Sequence, residues 1–133
     1  MAVRPPSVLR VLVADDEPTN VILAQAMLEQ LGCAVTTAET GGAALQRWRT
    51  GTFDLVLLDF MMPDLDGDQV ARAIRSDEAR DGRAPVAIAI CTAYAREDLE
   101  RSGQHCAFDS YLGKPVARND LALAGLVGWV ARP

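Results

Sequence analysis

The sequence predicts an α/β domain built on a doubly wound, five-stranded parallel sheet in the order 2-1-3-4-5. Three observations predict it. Short apolar, β-branched runs alternate with longer helical stretches through the 133 residues, five times over. The connections are only a few residues long, which suits right-handed strand–helix–strand units with helices on both faces. Several runs are almost continuously apolar, as strands covered on both sides must be. For such a chain the order 2-1-3-4-5 is a common solution, with the ligand crevice at the carboxyl ends of the strands beside the switch point between strands 1 and 3.

The first strand is expected over residues 8–14, where Leu9, Val11, Leu12 and Val13 are nearly contiguous. Pro18 suits the first turn of a helix, with Asp16 or Glu17 near its N-terminus. That helix carries Val21, Ile22, Met27, Leu28 and Leu31 at helical spacing and stops at Gly32 as C-cap. Residues 33–38 (CAVTTA) form the second strand and 41–49 (GGAALQRWR) a short helix ended by Gly51. The third strand, 53–59 (FDLVLLD), is again apolar and again ends on an aspartate. The loop MMPDLDG leads to a helix expected over residues 69–76, and Asp81-Gly82 and Pro85 mark a turn. Residues 86–91 (VAIAIC) read as the fourth strand, 96–102 as a helix and 107–112 as the fifth strand. A last helix follows Lys114-Pro115 and runs to about residue 130. No repeat or low-complexity linker divides the chain, so 1–133 is expected to be one domain with its core over about 8–130.

Half the residues are hydrophobic and 23% are charged, an ordinary globular balance. The net charge of −5, without a basic cluster, argues against nucleic-acid binding. Cys33, Cys91 and Cys106 are odd in number and contain no C-x-x-C, so they read as free thiols of a reducing compartment and small hydrophobic fillers. No apolar run approaches a membrane span, and MAVRPPSVLR has no signal-peptide h-region. A cytoplasmic location, with no membrane contact by this domain, is the expectation.

The strand ends carry the chemistry. Strand 1 ends in Asp15-Asp16, strand 3 in Asp59, strand 4 in Thr92, and strand 5 leads into Lys114. Taken singly these residues have plainer uses: aspartates and threonines cap helices and form turns, and a lysine is usually a solvated charge. Their joint arrival on one sheet edge is a different matter. Carboxylates gathered within a few ångströms repel, and a hard divalent cation such as Mg²⁺, bound by a few carboxylates and water, relieves the repulsion. With an ammonium and a hydroxyl added, the pocket suits a phosphoryl group.

The stretches VADDEPTN, LVLLDFMMPDLDG, AICTAY and FDSYLGKPV occur in an order and spacing that resembles the receiver domains of two-component response regulators, over about residues 9–130. The forms DDEPTN and GWVARP further resemble receivers carried inside hybrid sensor histidine kinases. The resemblance implies a flavodoxin-like (βα)5 fold with Asp59 as phosphoacceptor from a histidine kinase or histidine phosphotransfer domain. It implies Mg²⁺ held by Asp16 and Asp59, with Asp15 acting mostly through water and the backbone carbonyl of Met61 as a further ligand. Lys114 is then expected to pair with phosphoryl oxygens and Thr92 to hydrogen-bond one of them. Pro115 matches a cis peptide position, and Gly67 fits a loop turn that a side chain would hinder. Tyr111 resembles the family's switch aromatic, filling the space Thr92 vacates and reporting on the face of the fourth helix, fifth strand and fifth helix.

By the same resemblance, Met61 and Tyr94 stand at variable positions flanking the acceptor that influence access of the hydrolytic water; Met61 offers no group to orient water and Tyr94 is large enough to shield the phosphate, so a relatively long-lived phosphoryl state is expected. The apolar last helix leaves two readings open: a homodimer or partner interface, or a boundary cut from a longer chain. His105, the only histidine, is assigned to the surface or a helix end. Two other functions compete with a signalling module that catalyses only its own phosphorylation and dephosphorylation. One is a phosphorylation-independent scaffold of receiver shape, disfavoured by the complete set of site residues. The other is an aspartate-nucleophile phosphohydrolase of haloacid dehalogenase type, disfavoured because Phe60 and Met61, rather than a second acid, follow Asp59.

Overall fold

Five parallel strands, β1 (Arg10–Ala14), β2 (Ala34–Ala38), β3 (Leu55–Asp59), β4 (Ala87–Thr92) and β5 (Ser110–Gly113), pair in the order β2-β1-β3-β4-β5. The order is the one the alternation predicts. A computed structural model describes residues 9–92 and 110–113, and the side chains up to residue 91. The helices within that range are α1 (Pro18–Gln30), α2 (Gly41–Thr50) and α3 (Gly67–Asp81). The helices expected over 96–102 and after Lys114 lie outside the described residues.

Strand periodicity divides the core in two. Leu12, Ala14, Val56, Leu58, Ile88 and Ile90 face one side, where they pack with Ala44, Leu45 and Trp48 of α2 and Val70, Ala71 and Ile74 of α3. Val11, Val13, Leu55, Leu57, Ala89 and Cys91 face the other, against Leu28 of α1. All five residues of β3 are buried, as a central strand with neighbours on each edge and layers on each face requires. Trp48 is fully buried, and the Arg83 guanidinium lies 4.1 Å from the centre of its ring. Cys33 and Cys91 are buried, the filler role expected of them, and burial pushes the Cys33 thiol up. No helix among the described residues is long and apolar enough to cross a membrane.

Several boundaries differ from the sequence expectation. The helix expected over 69–76 runs Gly67–Asp81, longer at both ends. At its start Asp66 is the N-cap: its side chain accepts from Gln69 N (2.8 Å) while the Gln69 side chain accepts from Asp66 N (2.9 Å), a reciprocal capping box. Its charged last turns stay helical because their acids find partners. Asp77 Oδ2 accepts from Arg49 Nε at 2.7 Å, and Asp77 Oδ1 lies 3.0 Å from Arg80 Nη2. Glu78 Oε1 accepts from Arg75 Nη1 at 2.9 Å. The helix ends at Gly82, in the left-handed conformation. α1 runs from Pro18, with Glu17 as N-cap, to Gln30, with Leu31 as C-cap, and Gly32 just beyond takes the positive φ (89°) of the glycine expected to stop it. Ile22, expected within its apolar stripe, faces solvent. β4 extends to Thr92, and β5 to Gly113, one residue past each expected end.

Candidate functional site

The parallel register sets the site. Ala14 pairs with Leu58, so the next residues along β1 and β3, Asp15 and Asp59, emerge on the same edge. Asp59 closes the central strand and is 4% exposed; Asp15 is 7% exposed, and Asp16 beside it is exposed. One carboxylate oxygen from each of Asp15, Asp16 and Asp59 lies within 4.8 Å of the others. In octahedral Mg²⁺, opposite ligands stand about 4.2 Å apart, so this all-oxygen cluster fits one such ion with room for a water-mediated contact. The three acids that sequence reasoning brought to one edge are thus together.

Asp15 is held on two sides. Its N–H extends the ladder to Ala38 O (3.1 Å), and its Oδ1 accepts from Glu17 N (2.9 Å), a turn that directs the chain into α1. Asp59 pairs with Cys91 across β4, and Phe60 N donates to Cys91 O at 2.9 Å. Phe60 O accepts from Gly67 N at 2.8 Å, which closes the base of the loop. Gly67 is therefore not in the loop, as expected, but the first residue of α3. The expectation that a side chain there would interfere holds for another reason: a Cβ would stand 2.6 Å from Asp59 O and 3.1 Å from Phe60 Cα. Met61, two residues past Asp59, has its side chain exposed to solvent.

Thr92 is the last residue of β4 and pairs with Gly113, immediately before Lys114, and Tyr111 pairs with Ile90. The backbone thus brings Thr92 and the end of β5 to the edge that carries Asp59. Lys114, Pro115, Tyr94, His105 and Cys106 lie outside the described residues, as does the segment expected to form the apolar last helix.

One residue escaped the sequence reading. Asp64, in the loop after Asp59, accepts from Gly41 N through Oδ1 (2.9 Å) and from Gly42 N through Oδ2 (2.8 Å). Hydrogen bonds from Gly42 and then Gly41 hold its carboxyl below the usual carboxylate range. No local pattern signals this contact, because its partners lie 22 and 23 residues earlier in the chain.

Fold and cluster together define the class: a doubly wound α/β domain with a cluster of three carboxylates at its switch point. Residues 11–124 match the response regulator receiver domain family. The chain belongs to that family, and its function is that of a receiver domain in two-component signalling. It is 41% identical over 113 residues to the sensor protein GacS of Pseudomonas syringae pv. syringae, covering 85% of this chain and 12% of that protein. It is 38% identical over 115 residues to the virulence sensor protein BvgS of Bordetella pertussis (strain Tohama I), covering 85% and 9%. The chain therefore spans about a tenth of the length of these relatives. Among solved structures it resembles the receiver domain of a sensor histidine kinase from Pseudomonas aeruginosa PAO1, which has a magnesium ion coordinated in the active site cleft. That match has a TM-score of 0.80 at 30% identity and covers 93% of this chain and 98% of that one. It also resembles the response regulator TrrA of Thermotoga maritima in complex with Mg²⁺ and BeF, with a TM-score of 0.77, 33% identity and coverage of 92% and 98%.

Proposed function

We propose that Asp59 is the phosphoacceptor of this receiver, working with Mg²⁺ held by Asp16, Asp59, the carbonyl of Met61 and, through water, Asp15. The observation that carries this is the gathering of three carboxylates within 4.8 Å at the buried end of the central strand. When bound, the cation neutralises the acceptor carboxylate and the phosphoryl oxygens. A carboxylate oxygen of Asp59 attacks the phosphorus of a phosphohistidine donor. A P–O bond forms as the donor's N–P bond breaks, and the electron pair leaves on the imidazole, which takes up a proton. Lys114 and Thr92 are assigned to the phosphoryl oxygens. The added charge, about −1.5 to −2, draws Thr92 inward, and Tyr111 follows to alter the face around β5. The domain thus acts as a signalling switch whose only chemistry is on its own acceptor.

The partner is a histidine kinase or histidine phosphotransfer domain, and the whole protein a hybrid sensor kinase like the relatives above, working at the cytoplasmic face. Support for docking beside the site comes from the exposed large hydrophobic side chains among the described residues. These are Ile22 (65% exposed) and Leu23 (55%) on α1, and Met61 (56%) beside the acceptor.

Incubation with a small phosphodonor and Mg²⁺ tests the reading. The expected result is an acid-labile phosphoryl mass gain that is absent without Mg²⁺ and absent in Asp59→Ala. A wild-type chain that gains no mass, or an Asp59→Ala chain that gains the same mass, overturns it.

A further inference from the structure

We propose that Asp64 is a positioning residue for the cation site: by gripping the N-terminus of α2 it fixes the loop from which the Met61 carbonyl reaches the metal. This rests on the Mg²⁺ reading above and adds to it a residue that does not touch the ion.

The first N–H groups of a helix have no partner within it and must find one elsewhere. In α2 those of the first three helical residues are satisfied, and from two sources. The Thr40 hydroxyl accepts from Ala43 N (3.0 Å), while the Thr40 carbonyl takes the first ordinary helical bond, from Ala44 N (3.0 Å). The N–H groups of Gly41 and Gly42 donate to the two oxygens of Asp64. A carboxylate there also meets the positive end of the helix dipole. α2 thus has its own local cap in Thr40, while Asp64 arrives from a different part of the chain.

What Asp64 brings with it is the loop. Phe60 is held at both its N–H and its carbonyl, by Cys91 and Gly67. Residues 61–63 therefore span a short interval between two fixed points, Phe60 and Asp64, and Met61 lies within it. The approach is close: a Cβ on Gly41 would stand 2.6 Å from Leu65 Cβ and 2.8 Å from Leu65 O. Glycine at 41 lets the loop backbone reach the helix end, and the Asp64 carboxylate fastens it there. Asp66, two residues on, caps α3 instead, so the two acids of PDLD hold the loop to two different helices.

The test uses the full chain and reads Mg²⁺ affinity by calorimetry without any phosphodonor, beside thermal stability and amide exchange. Three variants are compared. Asp64→Ala frees the loop, and is expected to weaken Mg²⁺ binding on the order of 10-fold, the cost typical of removing a group that orients a metal ligand. It also speeds exchange at Gly41 and Gly42. Asp64→Asn keeps one acceptor oxygen and falls between. Thr40→Ala removes the local cap of the same helix, so it lowers stability comparably and leaves Mg²⁺ affinity unchanged. Wild-type Mg²⁺ affinity in Asp64→Ala overturns the inference, as does an equal loss in Thr40→Ala. A wild-type chain that binds no Mg²⁺ overturns the metal reading itself, and the inference falls with it.

Discussion

Helices α1 and α3 flank the same acidic edge and are held in opposite ways. Within α1 the only charged residue is Glu29, the N-cap Glu17 makes no side-chain capping bond, and Ile22 and Leu23 face water. α3 is tied down by its own side chains: a capping box at one end, a left-handed glycine at the other, and ion pairs Asp68–Arg72, Glu78–Arg75 and Asp77–Arg80 between. α3 is a foundation, with its first residue against the backbone of Asp59. α1 relies on the sheet beneath it and leaves apolar surface exposed at Ile22 and Leu23, the face proposed above for docking.

The largest effect is expected where α3 joins the sheet. Glu78 Oε2 accepts from Val86 N at 2.6 Å and Oε1 from Arg75, whose Nη1 also donates to Val86 O at 2.8 Å. Glu78→Ala leaves a buried N–H without its acceptor and is expected to cost about 3 kcal/mol in urea unfolding. Wild-type stability in that variant would dissolve the contrast. Next comes Asp66→Ala, which removes the capping box and should cost about 1 kcal/mol by the same measurement.

Acid sharpens the comparison further. The Asp77 carboxyl is held below its usual 3.8 by the hydrogen bond from Arg49 first, helped by the charges of Arg49 and Arg80. A group depressed in the folded state contributes fully above its unfolded value and loses that contribution as pH falls through the folded one. Unfolding midpoints should therefore decline below about pH 4, and Asp77→Asn should flatten that decline. The smallest stability effect belongs to α1. Ile22→Ser and Leu23→Ser should each stay within about 0.5 kcal/mol of wild type. Their phosphorylation by a small donor should be unaffected, while transfer from a phosphohistidine protein slows. Equal slowing with both donors would remove α1 from the docking surface.

The sequence made the sheet and the acidic edge legible for one reason: apolar runs that stop at Asp15 and Asp59 announce both a buried strand and the place where it emerges. Residues 77–81 were misread because burial there is achieved by charge pairing. Asp77 and Glu78 look like solvent-facing residues until Arg49 and Arg75 are known to meet them. The capping box of Asp66 and Gln69 was hidden in PDLDGDQ, whose composition reads as loop. Asp64 was illegible because its partners are remote in the chain and its meaning depends on the loop folding back.

The buried indole under Arg83 gives the molecule an optical handle. The chain has two tryptophans, so Trp129→Phe leaves Trp48 as its single indole emitter. Trp48 sits in the last half of α2, the helix whose first residues Asp64 grips. Emission from an indole sealed in this core is blue-shifted, and moves to the red when water reaches it. A single-tryptophan chain would then report by colour, without any added dye, how firmly α2 is seated as Mg²⁺ is titrated in.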